Sequence, residues 1–325
     1  MAAGIVSVFL AAASPALVPY VDVHAHLEPR EVSASVQAAL AALPRQNAAA
    51  IYLLTLPDTF EHPGRYDAEA LVPAVAPHRG KLAVLGGGGT LNAMIQKTAP
   101  ERVDAAIRTQ FRERAEELLR EGVAGFGEMT AEHFAGLTPY QSAPPDHPLF
   151  LLLAEISGES GAPIDLHMEA VPQAMPLPAG FKSPPNAAQL RENLAAFERL
   201  LAHDRRANII WAHAGADGTG QRTPDLCRRL LQRNPNLSME LKVDPRNPGL
   251  TPLLEGGTVR ADWLQLFQDF PDRFVIGTDQ HYPEPAADVQ RWQAAVLLLN
   301  QLPADLQRKI GSENALRLYS RRLSR

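Results

Sequence analysis

The stretch PYVDVHAHL, Pro19 to Leu27, is a short apolar run with two histidines one residue apart. Because side chains alternate between the faces of a β-strand, Asp22, His24 and His26 are predicted to share one face. The opposite face takes Val21, Val23 and Ala25. Imidazole is the commonest protein ligand for zinc and similar cations, so the two rings are candidate metal ligands. The alternative is a pair of histidines that only form hydrogen bonds in a polar loop, and other strands must supply the missing ligands.

The composition is that of an ordinary globular protein, with 325 residues, 46% hydrophobic and 21% charged. The net charge of −5 and the lack of a basic run give no reason to expect nucleic acid or an anionic membrane as a partner. A small-molecule substrate is expected, and the sequence leaves homo-oligomer formation open. Because Cys227 is the single cysteine, any metal must be held by nitrogen and oxygen.

The N-terminus, residues 1 to 17, is predicted to be a signal sequence or an extension before a domain that spans 18 to 325. Ile5 to Ala13 is uncharged and apolar, and SPA at 14 to 16 has the small-x-small form of a signal-peptidase site, although the opening MAAG lacks a basic side chain. The stretch is too short for a membrane span. The apolar run and the SPA site slightly favour an exported or periplasmic protein over a cytoplasmic one. The alternative is an apolar segment that covers the bottom of the fold.

Short apolar runs then alternate with longer amphipathic segments, as in repeated βα units around a parallel sheet. The predicted strands are Pro19 to His26, Ala48 to Leu56, Lys81 to Gly86, Ala124 to Glu128, Pro163 to Met168, Asn208 to His213, Leu237 to Lys242 and Phe274 to Asp279. The predicted helices include Arg102 to Arg120, Leu149 to Ser160, Asn186 to His203, Pro224 to Arg233, Asp262 to Phe270 and Val289 to Asn300. Eight such units form a single α/β domain, the (β/α)8 TIM barrel, whose active sites lie at the carboxyl ends of the strands.

Four further strands are predicted to end in histidine or carboxylate side chains. These are Glu128 in GFGEMT, His167 in IDLHME, His213 in IIWAHAG and Asp279 in FVIGTDQH. In a barrel these positions converge on one axis, together with the histidine pair of the first strand. One buried histidine is more often a core residue, but four histidines and two carboxylates would be costly to bury without a cation. The set therefore predicts a metal site.

The motifs VDVHAHL, GEMT, IDLHME, WAHAG and GTDQH, in this order, resemble those of the amidohydrolase superfamily and its amidohydrolase-related branch. The C-terminal IGSENALRLYS is similar to the Gly-x-x-Asn-Ala helix that often closes those chains. The resemblance covers Pro19 to Ser320. It implies a metal-dependent hydrolase with a barrel fold, and it carries little information about the substrate.

The resemblance also implies roles for individual residues. His24, His26 and Asp279 would bind the more buried metal ion. In two-metal members the histidines that match His167 and His213 bind a second ion. In one-metal members His167 joins the first ion and His213 acts as a proton or oxyanion partner.

Glu128 stands where many two-metal members have a carboxylated lysine and others a glutamate, so the resemblance implies that it bridges two ions. We therefore expect two divalent ions, zinc by preference, rather than one. The alternative role of Glu128 is to accept a hydrogen bond from a histidine N–H.

The expected chemistry is attack by a metal-activated water, whose pKa a divalent cation lowers to about 7. Asp279 is the expected base, and His213 would help to polarise the substrate oxygen. The predicted activity is hydrolysis of an amide, ester or lactone bond in a small organic substrate. The alternatives are a zinc-dependent non-oxidative decarboxylase of the same superfamily and a metal-binding protein without turnover.

Three residues near the predicted mouth are candidate substrate contacts. Lys242, on the polar face of the seventh strand, is predicted to bind a substrate carboxylate or, alternatively, to form an ion pair with Glu240 inside the barrel. Arg246 and His281 follow the seventh and eighth strands, and the alternative for each is a solvated loop residue. Asp22 is predicted to support the first strand rather than to bind the ion.

Overall fold

The computed structural model of the chain describes residues 17–27, 31–58, 67–134, 140–181, 186–245, 251–283 and 290–319. The predictions made for residues 1–16 and for Arg246 lie outside the described residues.

The central sheet is a closed barrel of parallel strands. The strands are β1 (Tyr20–Leu27), β2 (Ala48–Leu54), β3 (Leu82–Gly87), β4 (Gly125–His133), β5 (Ile164–Met168), β6 (Ile209–Ala214), β7 (Leu237–Leu241), β8 (Phe274–Ile276) and β9 (Gln280–Tyr282). Neighbours in this order pair in parallel up to β8, which pairs with β7, whereas β9 pairs with β1. Because β8 and β9 are two halves of one short segment, the ends of the sheet meet there. The predicted (β/α)8 barrel is confirmed.

Helices connect the strands on the outside of the barrel. They are α1 (Val32–Gln46), α2 (Ala68–Val75), α3 (Leu91–Lys97), α4 (Ala105–Glu121), α5 (Pro148–Ser160), α6 (Leu194–His203), α7 (Pro224–Arg233), α8 (Ala261–Asp269), α9 (Gln290–Asn300), α10 (Ala304–Arg308) and α11 (Asn314–Leu318). Side chains fix several helix starts: the Asp104 carboxylate accepts from the Ile107 N–H, and the Thr223 hydroxyl accepts from the Leu226 N–H. No helix within the described ranges is both long and apolar enough to cross a membrane.

Among the predicted elements whose bounds differ, one helix and one strand change most. The helix expected from Asn186 begins only at Leu194, because the Asn193 side chain is held by the loop: it accepts from the Val171 N–H and donates to the Glu169 carbonyl. The fourth strand continues to His133 because its end pairs with the two-residue strand Gln141–Ser142.

Two apolar cores lie on the two sides of the barrel wall. On β2, Ile51 and Leu53 belong to the outer core between sheet and helices, whereas Tyr52 and Leu54 belong to a cluster in the barrel interior. In β1 the predicted alternation is wrong. A register shift sets three residues against two, since Asp22 pairs with Ile51 and Ala25 with Leu53. This bulge moves the face of the strand, so the interior cluster includes Val21 and Val23 while the outer core includes Ala25.

The last helix closes the bottom of the barrel. The Asn314 side chain donates to the carbonyls of Pro271 and Phe274 at distances of 2.9 and 2.8 Å, which ties α11 to the start of β8. Ala315, Leu318 and Tyr319 then pack into the interior cluster from below. The predicted polar ligands lie at the opposite end of the barrel, where the strands have their carboxyl ends.

Candidate metal centre

The six predicted ligands meet at the carboxyl end of the barrel. Together with His281 they form overlapping sets of three whose nitrogen and oxygen atoms lie within 4.8 Å of one another. The sets are His24, His213 and Asp279; His24, His26 and Glu128; Glu128, His167 and His213; and His26, Asp279 and His281.

The two β1 histidines turn the same ring nitrogen to a common point. Their Nε2 atoms are 3.3 Å apart, while His24 Nδ1 lies 3.3 Å from Asp165 Oδ2 and His26 Nδ1 lies 3.3 Å from the Leu54 carbonyl oxygen. Since a carbonyl only accepts, we assign the His26 proton to Nδ1, and the Asp165 contact supports the same tautomer for His24. When both rings are neutral, this tautomer turns the two Nε2 lone pairs towards one another, an arrangement that suits a shared cation.

Glu128 lies between two pairs of histidines. Its Oε1 accepts from His167 Nδ1 at 2.7 Å and is 3.3 Å from His213 Nε2. Its Oε2 is 3.5 Å from His26 Nε2 and 3.8 Å from His24 Nε2. Burial alone would raise the pKa of this carboxyl group, but hydrogen bonds from His167, His213 and His24 hold it well below its usual range. Glu128 is therefore an ionised carboxylate with one oxygen towards each pair.

His213 and His167 are oriented by carboxylates of their own. His213 Nδ1 lies 3.1 Å from Glu240 Oε2, which also accepts the His213 backbone N–H, and this holds His213 in the left-handed region with φ of 67°. His167 Nε2 is 3.6 Å from Glu169 Oε1. Burial opposes a charge on His167, but Glu128 and Glu169 raise its pKa to about 9. The surroundings thus favour positive charge, as a metal site requires.

Asp279 uses its two oxygens differently. Oδ1 is 3.1 Å from His26 Nε2, while Oδ2 accepts from Lys242 Nζ at 2.6 Å and from Arg291 Nη1 at 2.9 Å. Burial would raise the pKa of this carboxyl group, but Lys242, His26 and Arg291 hold it well below its usual range. Its backbone, with φ of 51°, is fixed by an N–H bond to the His24 carbonyl of 2.7 Å.

This geometry breaks the predicted eighth strand, which stops at Ile276 instead of running to Asp279. Asp22 supports the break from β1. Its Oδ1 accepts from the Thr278 N–H at 3.0 Å and its Oδ2 from the Thr278 hydroxyl at 2.6 Å. Asp22 therefore joins the two strands that carry ligands.

The predicted alternative of an ion pair between Glu240 and Lys242 is wrong. Lys242 lies at the rim, where it contacts Asp279, whereas the fully buried Glu240 lies deeper in the barrel and binds His213. Of the other predicted contacts, the His281 ring centroid is 4.9 Å from that of His26, beside the centre.

Sequence reasoning missed Asp165 and Arg291. Asp165 precedes His167 by two residues, so strand alternation alone places both on one face and could have identified it. Arg291 lies in the amphipathic helix α9 and carries no comparable signal.

One protein family matches most of the chain. A family model described as Amidohydrolase matches residues 21–321. Among solved structures, dihydroorotase from Saccharomyces cerevisiae in complex with 5-fluoroorotic acid is 12% identical, with a TM-score of 0.47 over 94% of this chain and 85% of that chain. An amidohydrolase from Mycobacterium avium subsp. paratuberculosis is 15% identical, with a TM-score of 0.42 over 86% and 73%. The comparison with curated proteins gives no match.

Proposed function

The chain belongs to the amidohydrolase family, and from this premise we propose that it is a hydrolase that cleaves an amide, ester or lactone bond of a small organic substrate with a metal-activated water. The observation that carries the proposal is the position of Glu128. One oxygen of its carboxylate faces His167 and His213, and the other faces His24 and His26. An ionised carboxylate between two pairs of nitrogen ligands is a suitable bridge for two cations.

The residues that would hold the ions form two groups on either side of Glu128. The deep group is His24, His26 and Asp279, and the mouth group is His167 and His213. We propose two divalent ions, with zinc as the element, because the donors are nitrogen and carboxylate oxygen. Bound there, divalent cations supply Lewis acidity, which lowers the pKa of water to about 7 and polarises a substrate oxygen.

Asp279 is the proposed base. Its low pKa keeps it ionised, but Lys242 and Arg291 both occupy Oδ2 and so weaken it as a proton acceptor. We propose that an anionic group of the substrate draws Lys242 away. Asp279 Oδ2 then keeps only Arg291 as a cationic partner and becomes a better acceptor for a proton of the attacking water, which it delivers to the leaving group. His213, fixed by Glu240, lies beside Glu128 and would contact the substrate oxygen as well as hold an ion.

An activity screen tests this function. Zinc-loaded protein is assayed against lactones, esters, N-acyl amides and phosphoesters, with an aromatic carboxylate included to detect release of CO2. We expect zinc-dependent hydrolysis of one amide, ester or lactone class, and its loss in Asp279→Asn. CO2 release without hydrolysis would instead identify the decarboxylase alternative. Zinc binding without turnover of any class would favour a binding protein.

A further inference from the structure

The strand that carries His213 is irregular just before this ligand. Trp211 of β6 pairs with Met239 of β7. Ala214 pairs with Leu241, so three residues on β6 span the same length as two on β7. The bulge contains the left-handed backbone of His213, with φ of 67°. Because residues other than glycine rarely adopt this conformation, the surrounding contacts must fix it.

Arg222 binds two successive main-chain carbonyls at this bulge. Its Nη2 donates to the Trp211 carbonyl oxygen at 2.6 Å, and its Nη1 donates to that of Ala212, the residue before His213. Successive carbonyls of a regular strand point to opposite sides, so one guanidinium group can bind both only where the strand is distorted. The rigid fork of arginine N–H donors fits this pair of carbonyls, whereas a lysine ammonium is a single point of contact.

The Arg222 residue is 2% exposed and is itself held in place. Its Cζ lies 3.8 Å from the centroid of the Trp211 ring, and Trp211 Nε1 donates to the carbonyl of Met168, the residue after His167, at 2.8 Å. The Arg222 backbone N–H donates to Asp217 Oδ2 at 3.1 Å. Since a charged group is costly to bury, the two carbonyls and the indole face must compensate for its lost hydration. Removal of the guanidinium would leave both carbonyls without these donors.

The loop that ends in Arg222, residues 215–222, also contacts the end of β5. The Gly218 N–H donates to Glu169 Oε2 at 2.8 Å, and the Thr219 hydroxyl donates to the Ala170 carbonyl at 2.6 Å. Glu169 is the carboxylate beside the other mouth-group histidine. The loop therefore connects the ends of the two strands that carry the mouth-group ligands.

We propose that Arg222 is a positioning residue for His213 and, through it, for the ion of the mouth group. The assignment rests on the proposed function, in which this ion is bound. Glu240 accepts the His213 N–H, and Arg222 holds the two carbonyls that precede it. Together these contacts fix the direction in which the His213 ring leaves the strand. Because Arg222 contacts β6 and not the strands of the deep group, its removal should affect the mouth ion selectively.

Arg222→Met tests the assignment, with Arg273→Met as the matched control. Arg273 also donates to main-chain carbonyls, those of Asn234 and Leu237 at 2.5 and 2.6 Å, but it lies at the amino ends of β7 and β8. A chromophoric chelator records how fast each zinc equivalent leaves the loaded protein, and thermal unfolding measures stability. The equivalent that is absent from His167→Asn identifies the mouth ion.

We expect Arg222→Met to speed the loss of the mouth ion about tenfold and that of the deep ion less than about twofold. Arg273→Met should lower the unfolding temperature while both rates stay within about twofold of the wild type. Equal acceleration of both ions in Arg222→Met would overturn the assignment, as would wild-type rates for both. Arg222→Lys keeps the charge without the fork and carries the same test if Arg222→Met does not fold, with an expected acceleration of at least about threefold for the mouth ion alone.

Crystal structures of the metal-free wild type and of an Arg222 variant test the positioning independently of the ions. We expect His213 to leave the left-handed region in the variant and its ring to lose the contact of 3.1 Å with Glu240. An unchanged His213 backbone and ring would overturn the positioning role. If the wild type and Arg273→Met both bind fewer than two equivalents of zinc, the proposed two-ion function is wrong, and the His213 geometry alone then decides on Arg222.

Discussion

The deep group and the mouth group are held by different means. In the deep group, the His24 and His26 side chains are buried, with 0% and 2% exposure. The His24 Nδ1 atom faces Asp165, and the His26 Nδ1 atom faces the main-chain carbonyl of Leu54. In the mouth group, the His167 side chain is 13% exposed, and its closest carboxylate is Glu128 itself. The barrel therefore preorganises both deep histidines, whereas in the mouth group only His213 has such support and His167 depends on Glu128.

This asymmetry predicts that the two positions hold their ions with different affinities. A preorganised set of ligands loses little conformational entropy when it binds, so the deep position should hold its ion tightly. In the mouth group Glu240 fixes His213, but His167 is oriented only by Glu128 and by a contact of 3.6 Å to Glu169, so the mouth ion should exchange more readily.

His26→Asn removes a deep ligand and should lower kcat/KM by at least about 10³-fold, because several kcal/mol of transition-state stabilisation by the ion are lost. Steady-state assays with excess zinc measure the effect. His203→Asn is the control, since His203 is a surface residue that contacts Glu155. If His26→Asn retained kcat/KM within tenfold of the wild type, the ion of the deep group would not be essential for activity.

Asp165→Asn and Glu169→Gln compare the carboxylates behind the two groups. Asp165→Asn should weaken retention of the tight ion by about 10- to 100-fold, since it frees the His24 ring. Glu169→Gln should cost less than about tenfold because its contact with His167 is longer. Zinc dissociation into a chelator measures both, and the reverse order would remove the proposed asymmetry.

Lys242→Met tests whether Lys242, which contacts Asp279 of the deep group, binds the substrate. If Lys242 moves from Asp279 to a substrate anion, KM for a carboxylated substrate should rise about tenfold, in line with the loss of one charge-assisted hydrogen bond. KM for an uncharged analogue should stay within about twofold. Lys309→Met, at a surface ion pair with Asp272, is the control. Equal effects on both substrates would contradict substrate binding by Lys242.

His281→Ala is expected to have the smallest effect. The ring lies beside His26, but the deep group already has three ligands without it. We expect KM to rise less than about fivefold, since one rim contact contributes about 1 kcal/mol or less. Loss of an ion in this variant, measured as metal content, would show that His281 is a ligand instead.

The sequence predicted the barrel and the ligand positions because both depend on simple periodicities. Apolar runs at βα spacing fix the strands, and a histidine or carboxylate at a strand end converges with the others once the sheet closes. Glu128, His167 and His213 followed from that reasoning, and the structure brings them together.

Features that depend on contacts between distant segments were not predictable. The left-handed backbone of Asp279 requires the His24 carbonyl and Asp22 of another strand, and the β1 bulge depends on its pairing with β2. Arg291 and Tyr319 lie in ordinary helical sequence, and only the closed barrel brings them to Asp279 and to the interior.

The most direct test of a bridged two-ion centre is the zinc content of the wild type and of Glu128→Gln during stepwise chelation. Gln keeps the shape of the bridge but removes its charge. We expect two equivalents in the wild type, lost one after the other, and a single, tightly held equivalent in the variant. One equivalent in the wild type, unchanged in Glu128→Gln, would contradict it.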